Sequence, residues 1–272
     1  MADGSAIEWT DATWNPVTGC TKISPGCRFC YAERLTARFG RGPFTQIRLH
    51  SDRLELPLRW REPRRIFVNS MSDLFHERVP DEFIERVIGV ARLASQHVFQ
   101  ILTKRADRLK DWCAGVALPV NVWLGVSVES ARYLWRADRL RGVDAAVRFI
   151  SAEPLLGSLR DLDLSNIAWV ITGGESGGSP ARALVEDADG QWRAKREAVM
   201  WVRELRNKCR GAGVAFFHKQ WGGPRPTSGG RLLDGRVWSE MPAAQKSNGC
   251  SSSTLIFSQK VAAVRDLLAN TR

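Results

Sequence analysis

The amino-acid sequence predicts an α/β fold, a partial or complete (β/α) barrel with a short irregular C-terminal extension. Short apolar runs alternate along the chain with stretches of helical character. Continuously apolar strands separated by helices are typical of a parallel sheet covered on both faces. About seven such strands can be counted. With 272 residues, 44% of them hydrophobic, the chain can bury one substantial core.

The first part of the chain predicts three strands and two helices. A strand is expected before Cys20, and Tyr31 to Phe39 has helical character. The extended run Ile66 to Val68 follows, and then a helix from about Pro80 to Ser95. A proline near the start and two acidic residues in the first turn favour that helix. The next strand is predicted at Val98 to Leu102.

The later elements continue the alternation and end with a long helix and a strand. They are predicted as helix Arg105 to Cys113, strand Val122 to Val128, helix Ala131 to Leu140, strand Val147 to Ile150, strand Trp169 to Thr172, helix Lys195 to Gly211 and strand Val214 to Phe217. Glycine at the end of the long helix favours termination there.

The composition changes at about residue 222. Residues 1–221 are predicted to form the barrel, and residues 222–272 a Gly/Ser/Pro-rich segment with a short helix at about Gln259 to Asn270. Trp221 and Trp238 flank the irregular part of this segment. They are expected either to pack against the barrel or to stack on a base.

Three cysteines lie within eleven residues of one another. Cys20, Cys27 and Cys30 have the spacing C-x6-C-x2-C, and Phe29 directly precedes the third. Thiolates bind iron–sulfur clusters, zinc or copper(I), and three ligands without a nearby fourth predict a metal site with one open position. Three further cysteines are isolated, and we expect them to be small buried or incidental side chains: Cys113, Cys209 and Cys250.

Polar residues follow the predicted strands at six places. They are Asn69 to Asp73, Thr103 to Arg105, Ser127 to Glu129, Ser151 to Pro154, Gly173 to Ser176 and His218 to Trp221. In a β/α barrel the loops after the strands converge on one face, and that face carries the chemistry. The cysteines follow the first strand, so they are expected to open onto the same face.

The net charge indicates the kind of binding partner, and the N-terminal sequence indicates the cellular compartment. The net charge of +11 comes from an excess of basic residues, and it favours a polyanionic partner such as a nucleic acid. The N-terminal sequence has neither a basic segment nor an apolar one, so it does not resemble a signal peptide, and no long apolar run indicates a membrane partner. We therefore expect a cytoplasmic protein with reduced thiols.

Several segments together resemble a phage-associated three-cysteine protein family. This family was long described as a phage protein family of unknown function, and it is related to radical SAM enzymes such as spore photoproduct lyase. The matching segments are TWNPVTGCTKISPGCRFCYAERL, IFVNSMSDLFHERVP, ILTKRADRL, LGVSVES, FISAEPLLG, WVITGGESG, FFHKQWGG and GRVWSEMP. The resemblance implies a barrel of the radical SAM type.

The resemblance also implies two cofactors and an external electron donor. Cys20, Cys27 and Cys30 would hold three irons of a 4Fe–4S cluster, and the fourth iron would chelate S-adenosylmethionine. Cleavage of this molecule would give a 5′-deoxyadenosyl radical.

Roles for other residues follow from the same resemblance. Phe29 would contact adenine, and Ser70, Ser72 and Asp73 would contact the methionine amino group. The residues Ser127 and Glu129 would contact the ribose or the carboxylate. The glycines Gly173 and Gly174 resemble part of a methionine-binding motif or let a ligand approach the backbone. Candidates for substrate phosphate or acid–base work are Lys104, Arg105, His218 and Lys219, and those for polar anchoring are Glu153 and Glu175.

The expected substrate is a nucleic acid, with DNA favoured over RNA. One hypothesis is radical chemistry at a modified thymine in phage DNA, such as isomerisation of an amino-acid adduct on the 5-methyl group. A pyrimidine-lesion repair lyase is the alternative within the same chemistry. Two further alternatives are a binding module with zinc held by the cysteines and His76 or His218, and a degenerate barrel with a purely structural or redox-sensing cluster. We expect a monomer, in the host cytoplasm if the chain is phage-encoded.

Overall fold

The computed structural model describes residue 5 and residues 7–177 and 183–243. Seven strands form one parallel sheet that curls into a half-barrel, in the order β1-β4-β5-β6-β7-β8-β11. They are β1 Ala12–Trp14, β4 Arg65–Val68, β5 Val98–Thr103, β6 Val122–Ser127, β7 Val147–Ala152, β8 Trp169–Gly173 and β11 Ala215–Gln220. The predicted α/β fold, a partial (β/α) barrel, is confirmed.

Two short antiparallel pairs and five α-helices complete the described part of the chain. The pairs are β2 Val17–Thr18 with β3 Arg48–Leu49, and β9 Val185–Ala188 with β10 Gln191–Ala194. The helices are α1 Tyr31–Arg38, α2 Asp81–Leu93, α3 Ala106–Cys113, α4 Trp135–Arg141 and α5 Arg196–Gly211. Each agrees with a predicted helix, except that Ala131–Tyr133 forms a separate 3-10 turn before α4.

The last strand is longer than predicted. The ladder between β11 and β8 continues through His218, paired with Thr172, and Gln220, paired with Gly173. The predicted place of His218 and Lys219 after the strand is therefore wrong, because the backbone pairing continues past them. His218 is fully buried, and it shares a hydrogen bond of 2.9 Å with the Thr172 hydroxyl.

The two faces of the sheet have different cores. Residues of α2, α3, α4 and α5 pack on the outer face together with Ile66, Val68 and Ile101. The inner face carries a second cluster, which consists of Trp9, Phe67, Trp123, Val147, Phe149, Trp169, Ile171 and Phe217. Side chains alternate across a strand, so neighbouring residues such as Ile66 and Phe67 belong to different cores. The aromatic cluster fills the interior of the half-barrel below the polar carboxyl ends of the strands.

The edge of β11 that does not pair with β8 is covered by the chain that follows the strand. The His218 amide donates to the Trp238 carbonyl at 2.9 Å, and the Glu240 amide donates to the Phe216 carbonyl at 3.1 Å. Trp221 and Trp238 are both buried and belong to the outer core. The predicted terminal helix lies outside the described residues, and the division after residue 221 stays a prediction. In the described part of the chain no helix is both long and apolar enough to cross a bilayer.

The inner core makes a prediction about Gly125 on β6. A Cβ atom at Gly125 would lie 2.4 Å from the Phe149 ring. We expect Gly125→Ala to lower the free energy of unfolding by about 1–3 kcal/mol, because the ring must shift within a packed core. Gly211→Ala is the matched control, since a Cβ there meets no atom within 4 Å. Urea unfolding of both variants measures the difference, and equal stabilities would contradict this packing.

Candidate functional site

The three cysteines lie on the loop between β2 and α1. Gly19, at the start of this cysteine loop, forms an isolated parallel bridge with Ser72, in the loop after β4. Residues Pro25–Cys27 form a 3-10 turn, and Cys30 directly precedes α1. All three cysteines are partly buried. The loop therefore lies along the carboxyl edge of the sheet, beside the polar strand ends.

Arg105 ties the cysteine loop to this edge. Its Nη1 donates to Asp73 Oδ2 at 3.1 Å and contacts Cys20 Sγ at 3.6 Å. Its Nη2 donates to the carbonyl of Thr21 at 3.2 Å and to the hydroxyl at 2.9 Å. Its Nε donates to Glu77 Oε2 at 3.1 Å. The side chain is only 9% exposed, so its charge is compensated almost entirely by protein groups.

The Asp73 carboxylate is the centre of this network. Besides Arg105 it accepts hydrogen bonds from the Thr103 hydroxyl at 2.7 Å, the Phe75 amide at 3.0 Å and the Lys104 amide at 3.2 Å. A buried carboxylate with this many donors is held in one orientation. In this structure Asp73 therefore positions Arg105, and through it Cys20.

A second buried ion pair holds the other half of the cysteine loop. Glu129 Oε2 accepts a hydrogen bond from Arg136 Nη1 at 2.7 Å, and both side chains are almost fully buried. Glu129 Oε1 accepts a hydrogen bond from the Ser24 hydroxyl. A Cβ atom at Gly26 would lie 2.6 Å from Glu129 Cγ. The turn before Cys27 can approach Glu129 this closely only because residue 26 is glycine.

Burial controls the ionisation of the groups beside Cys20. Burial and the Asp73 carboxylate raise the pKa of the Cys20 thiol to about 11, although Arg105 opposes them. The thiol is therefore protonated at neutral pH, and a metal must displace its proton to bind. Burial and the charge of Arg105 lower the pKa of His76, whose Nε2 shares a hydrogen bond of 2.9 Å with the Thr21 hydroxyl. His76 is thus a neutral ring beside the cysteine loop.

The cysteine loop suits an iron–sulfur cluster in its chemistry. Three sulfur ligands lie on one loop, and a buried guanidinium beside Cys20 can offset the charge of a thiolate-bound cluster. Among the described residues, no three His, Cys, Asp or Glu side chains are close enough together to hold a metal ion. In a 4Fe–4S cluster each cysteine binds a different iron, so the three sulfurs do not have to meet at one ion.

The inner face of the sheet becomes polar above its aromatic core. Lys219 Nζ lies 3.3 Å from Glu153 Oε1, and the Ser151 hydroxyl donates to Glu153 Oε2 at 3.3 Å. Ser127 is the register partner of Ser151 on the neighbouring strand. A Cβ atom at Gly173 would lie 2.4 Å from Glu153 Oε1, so the glycine makes room for this carboxylate. Glu153 and Lys219 remain partly accessible, which a substrate-binding pair requires.

Tyr31 connects this polar patch with the cysteine loop. Its hydroxyl donates to the Ser70 carbonyl. Withdrawal from water raises the pKa of the phenol, and the Glu153 carboxylate raises it further. Tyr31 directly follows Cys30, and Glu153 is near enough to act on its phenol, so the cysteine loop and the polar patch lie beside each other.

The other predicted site residues lie near this edge, and most of them contact protein groups there. The Ser72 hydroxyl donates to the Val17 carbonyl at 2.8 Å, and the Ser70 hydroxyl donates to Asn15 Oδ1 at 3.2 Å. Glu175 Oε2 accepts a hydrogen bond from the Ala183 amide at 3.1 Å. A Cβ atom at Gly174 would lie 2.0 Å from the Trp221 carbonyl oxygen, so this glycine admits protein backbone. Phe29 is partly buried, with the Arg28 guanidinium 5.2 Å from its ring centre.

Burial removes His218 from the catalytic candidates. Burial lowers the pKa of its ring to about 3, so the imidazole is neutral at physiological pH. The ring lies against Trp221 and Thr172, within the sheet rather than at its edge. It can neither bind a phosphate as a cation nor act as an acid at neutral pH.

Sequence reasoning missed several residues that build the site. Tyr31, Ser24, Thr21 and Arg136 contact either the cysteine loop or its two anchors. Arg136 is the second residue of α4, which carries two other arginines, and its pair with the buried Glu129 distinguishes it from them. The one available signal was the position of Tyr31, directly after the third cysteine.

Comparison with known proteins assigns the chain to a family. Residues 4–242 match the model of DUF5131, described as a protein of unknown function. The chain belongs to this family. No curated protein sequence matches this DUF5131 member. Its association with phages stays a prediction.

Two solved structures are similar to the chain in fold. One is a cysteine-to-serine mutant of spore photoproduct lyase, with a TM-score of 0.53 and 14% identity over 81% of this chain and 79% of that one. The other is spore photoproduct lyase complexed with dinucleoside spore photoproduct, with a TM-score of 0.46 and 14% identity over 76% and 75% of the two chains. The first likeness shows a shared half-barrel fold.

The anchoring role of Arg105 can be tested with Arg105→Gln. We expect a loss of about 3–5 kcal/mol in the free energy of unfolding, because the buried Asp73 carboxylate loses its countercharge. Iron retained after anaerobic reconstitution should fall as well. Arg139→Gln is the control, because its pair with Asp107 is about half exposed and should cost less than about 1 kcal/mol. Equal losses in both variants would refute the anchoring role.

Proposed function

We propose that this chain is a radical SAM enzyme acting on a pyrimidine in nucleic acid, with DNA favoured over RNA. The observation that carries the proposal is the position of three cysteines on one loop at the carboxyl edge of a half-barrel, where two buried ion pairs anchor the loop. The fold shared with spore photoproduct lyase supports it. Other chemistries use similar folds, so the proposal depends on the site residues.

The chain's own residues have three tasks in this proposal. Cys20, Cys27 and Cys30 would hold a 4Fe–4S cluster. Bound together, the cluster and S-adenosylmethionine would supply reductive cleavage of a sulfonium and abstraction of a hydrogen atom from carbon, with the electron coming from an external donor. Arg105 keeps Cys20 in place and supplies positive charge. The Phe29 ring lies within the cysteine loop, where it would contact the adenine.

Substrate binding is proposed for the polar patch on the inner face. Glu153 accepts hydrogen bonds and Lys219 donates them, so the pair can bind the mixed donor and acceptor edge of a base. The aromatic core below excludes water from the floor of the site. Lys104, next to Arg105, is the candidate for contact with a phosphate. The net charge of +11 supports an anionic substrate.

Two reactions fit this site, and both begin with removal of a hydrogen atom from a carbon of the substrate. One is isomerisation of an amino-acid adduct on the 5-methyl group during DNA hypermodification. The other is a lyase reaction on a pyrimidine lesion, which the fold of spore photoproduct lyase favours. Both need abstraction of a hydrogen atom from a carbon that is too weakly acidic for a basic side chain to deprotonate.

The first experiment measures 5′-deoxyadenosine. The protein is reconstituted with iron and sulfide without oxygen, and then given dithionite and S-adenosylmethionine. We expect product from the native chain and none from Cys30→Ala. Cys113→Ala is the matched control, because that thiol is buried on α3 and burial raises its pKa to about 12. Equal product from the native chain and Cys30→Ala, or none from a protein loaded with iron, would contradict the proposal.

The second experiment identifies the reacting carbon and tests Lys219. Two probes carry deuterium at the carbon from which hydrogen would be removed. One is dinucleoside spore photoproduct labelled at C6 of its saturated ring, and the other is an oligonucleotide with an amino-acid adduct on the thymine 5-methyl group, labelled at the carbon attached to C5. We expect deuterium in 5′-deoxyadenosine from one of them, and the probe that reacts decides between lyase and isomerase. Absence of transfer from both would contradict both reactions.

Lys219→Met should lower this transfer without affecting cleavage of S-adenosylmethionine alone. We expect kcat/KM for the reactive probe to fall about tenfold or more, because one charge-assisted hydrogen bond is lost. Formation of 5′-deoxyadenosine without substrate should stay within about twofold, since Lys219 is not a cluster ligand. Lys110→Met, on the exposed face of α3, is the control. Equal effects on both reactions would refute a substrate-binding role.

A further inference from the structure

Helix α1 exposes an unusual face. Of its eight residues only Ala32 is buried. Tyr31, Leu35 and Phe39 are spaced four residues apart, so they lie on one side of the helix and its C-terminal cap. Their exposed fractions are 42%, 36% and 59%. A surface helix normally turns such side chains towards the core, so three of them in a row facing solvent indicate an interaction surface.

Basic side chains border this stripe. Arg34 and Arg38, three and seven residues after Tyr31, project from the adjoining part of the helix surface and are exposed. The Arg41 guanidinium lies 5.1 Å from the Phe39 ring centre. The one acidic residue of α1, Glu33, pairs with Lys22 at 2.7 Å. Within the described ranges none of these three arginines forms an ion pair, so the surface combines aromatic rings with positive charge.

The stripe begins at the candidate site. Tyr31 directly follows Cys30, and its hydroxyl donates to the Ser70 carbonyl in the loop after β4. From there to Phe39 the helix rises about 12 Å, which is on the order of three nucleotide spacings. A chain bound at the site would thus meet the stripe as it leaves.

We propose that the exposed face of α1, formed by Tyr31, Leu35 and Phe39 with Arg38 and Arg41, binds the nucleic-acid strand that flanks the reacting nucleotide. Bases stack on the aromatic rings and phosphates pair with the arginines, the combination that single-strand binding surfaces use. The assignment deepens the proposed function and rests on it. The α1 surface holds the part of the substrate that extends beyond the site, and neither the cysteines nor the polar patch can reach that part.

Binding is measured without cofactors, by the fluorescence anisotropy of a labelled single-stranded thymine-rich oligonucleotide at several salt concentrations. We expect Phe39→Ala to weaken binding about tenfold, because base stacking is lost. Arg38→Gln should weaken binding as well, and lower the slope of log Kd against log salt by about one. The matched controls are Met200→Ala and Arg210→Gln on α5, both exposed. They should bind as the native chain does.

The outcomes separate this proposal from the one on which it rests. If the native chain binds and the α1 variants match their controls, the α1 surface is refuted while a nucleic-acid substrate stands. If the native chain binds no nucleic acid, both are refuted. If Phe39→Ala leaves nucleic-acid binding unchanged but lowers the sedimentation coefficient of the protein, the face joins two copies of the chain and the proposal is wrong. Circular dichroism melting of each variant shows that a loss of binding is not a loss of folding.

Discussion

The buried ion pair between Asp73 and Arg105 is the contact on which the candidate site depends. Asp73 lies in the loop after β4, and Arg105 directly precedes α3, so the pair links two parts of the sheet edge. Arg105 extends the link to Cys20 and Thr21. A charge buried at this depth requires its partner, so the geometry tolerates little change. The cysteine loop is held by this pair, by Glu129 and by backbone hydrogen bonds from the amides of Gly19 and Cys20.

Residues that stabilise the half-barrel and residues of the candidate site lie at opposite ends of its strands. Its inner face is aromatic near the amino ends and polar near the carboxyl ends, where Glu153 and Lys219 meet. Gly125 lets the Phe149 ring fill the lower layer, and Gly173 lets the Glu153 carboxylate occupy the upper one. Both glycines therefore serve close approach, one to a ring and the other to a carboxylate. Substitutions in the aromatic layer should accordingly change the stability of the fold, and those in the polar layer should change the binding of substrate.

Much of the fold could be predicted from the sequence, because apolar strands and amphipathic helices alternate regularly. The sequence also indicated the edge at which the polar residues meet. It could not reveal how far β11 extends, since pairing with β8 rather than residue type keeps His218 inside the strand. Nor could it show that Asp73 and Glu129 hold the cysteine loop. Their partners Arg105 and Arg136 come close only in the folded chain, and no local pattern distinguishes them from surface arginines.

The central claim is that the three cysteines hold a cluster with one iron open to S-adenosylmethionine. Electron paramagnetic resonance of the reduced, reconstituted protein tests it most directly, with spectra recorded before and after S-adenosylmethionine is added. The account predicts the signal of a reduced 4Fe–4S cluster that changes shape on addition, because the ligand binds the open iron. A signal that does not change, or a protein that takes up zinc in place of iron, would contradict it.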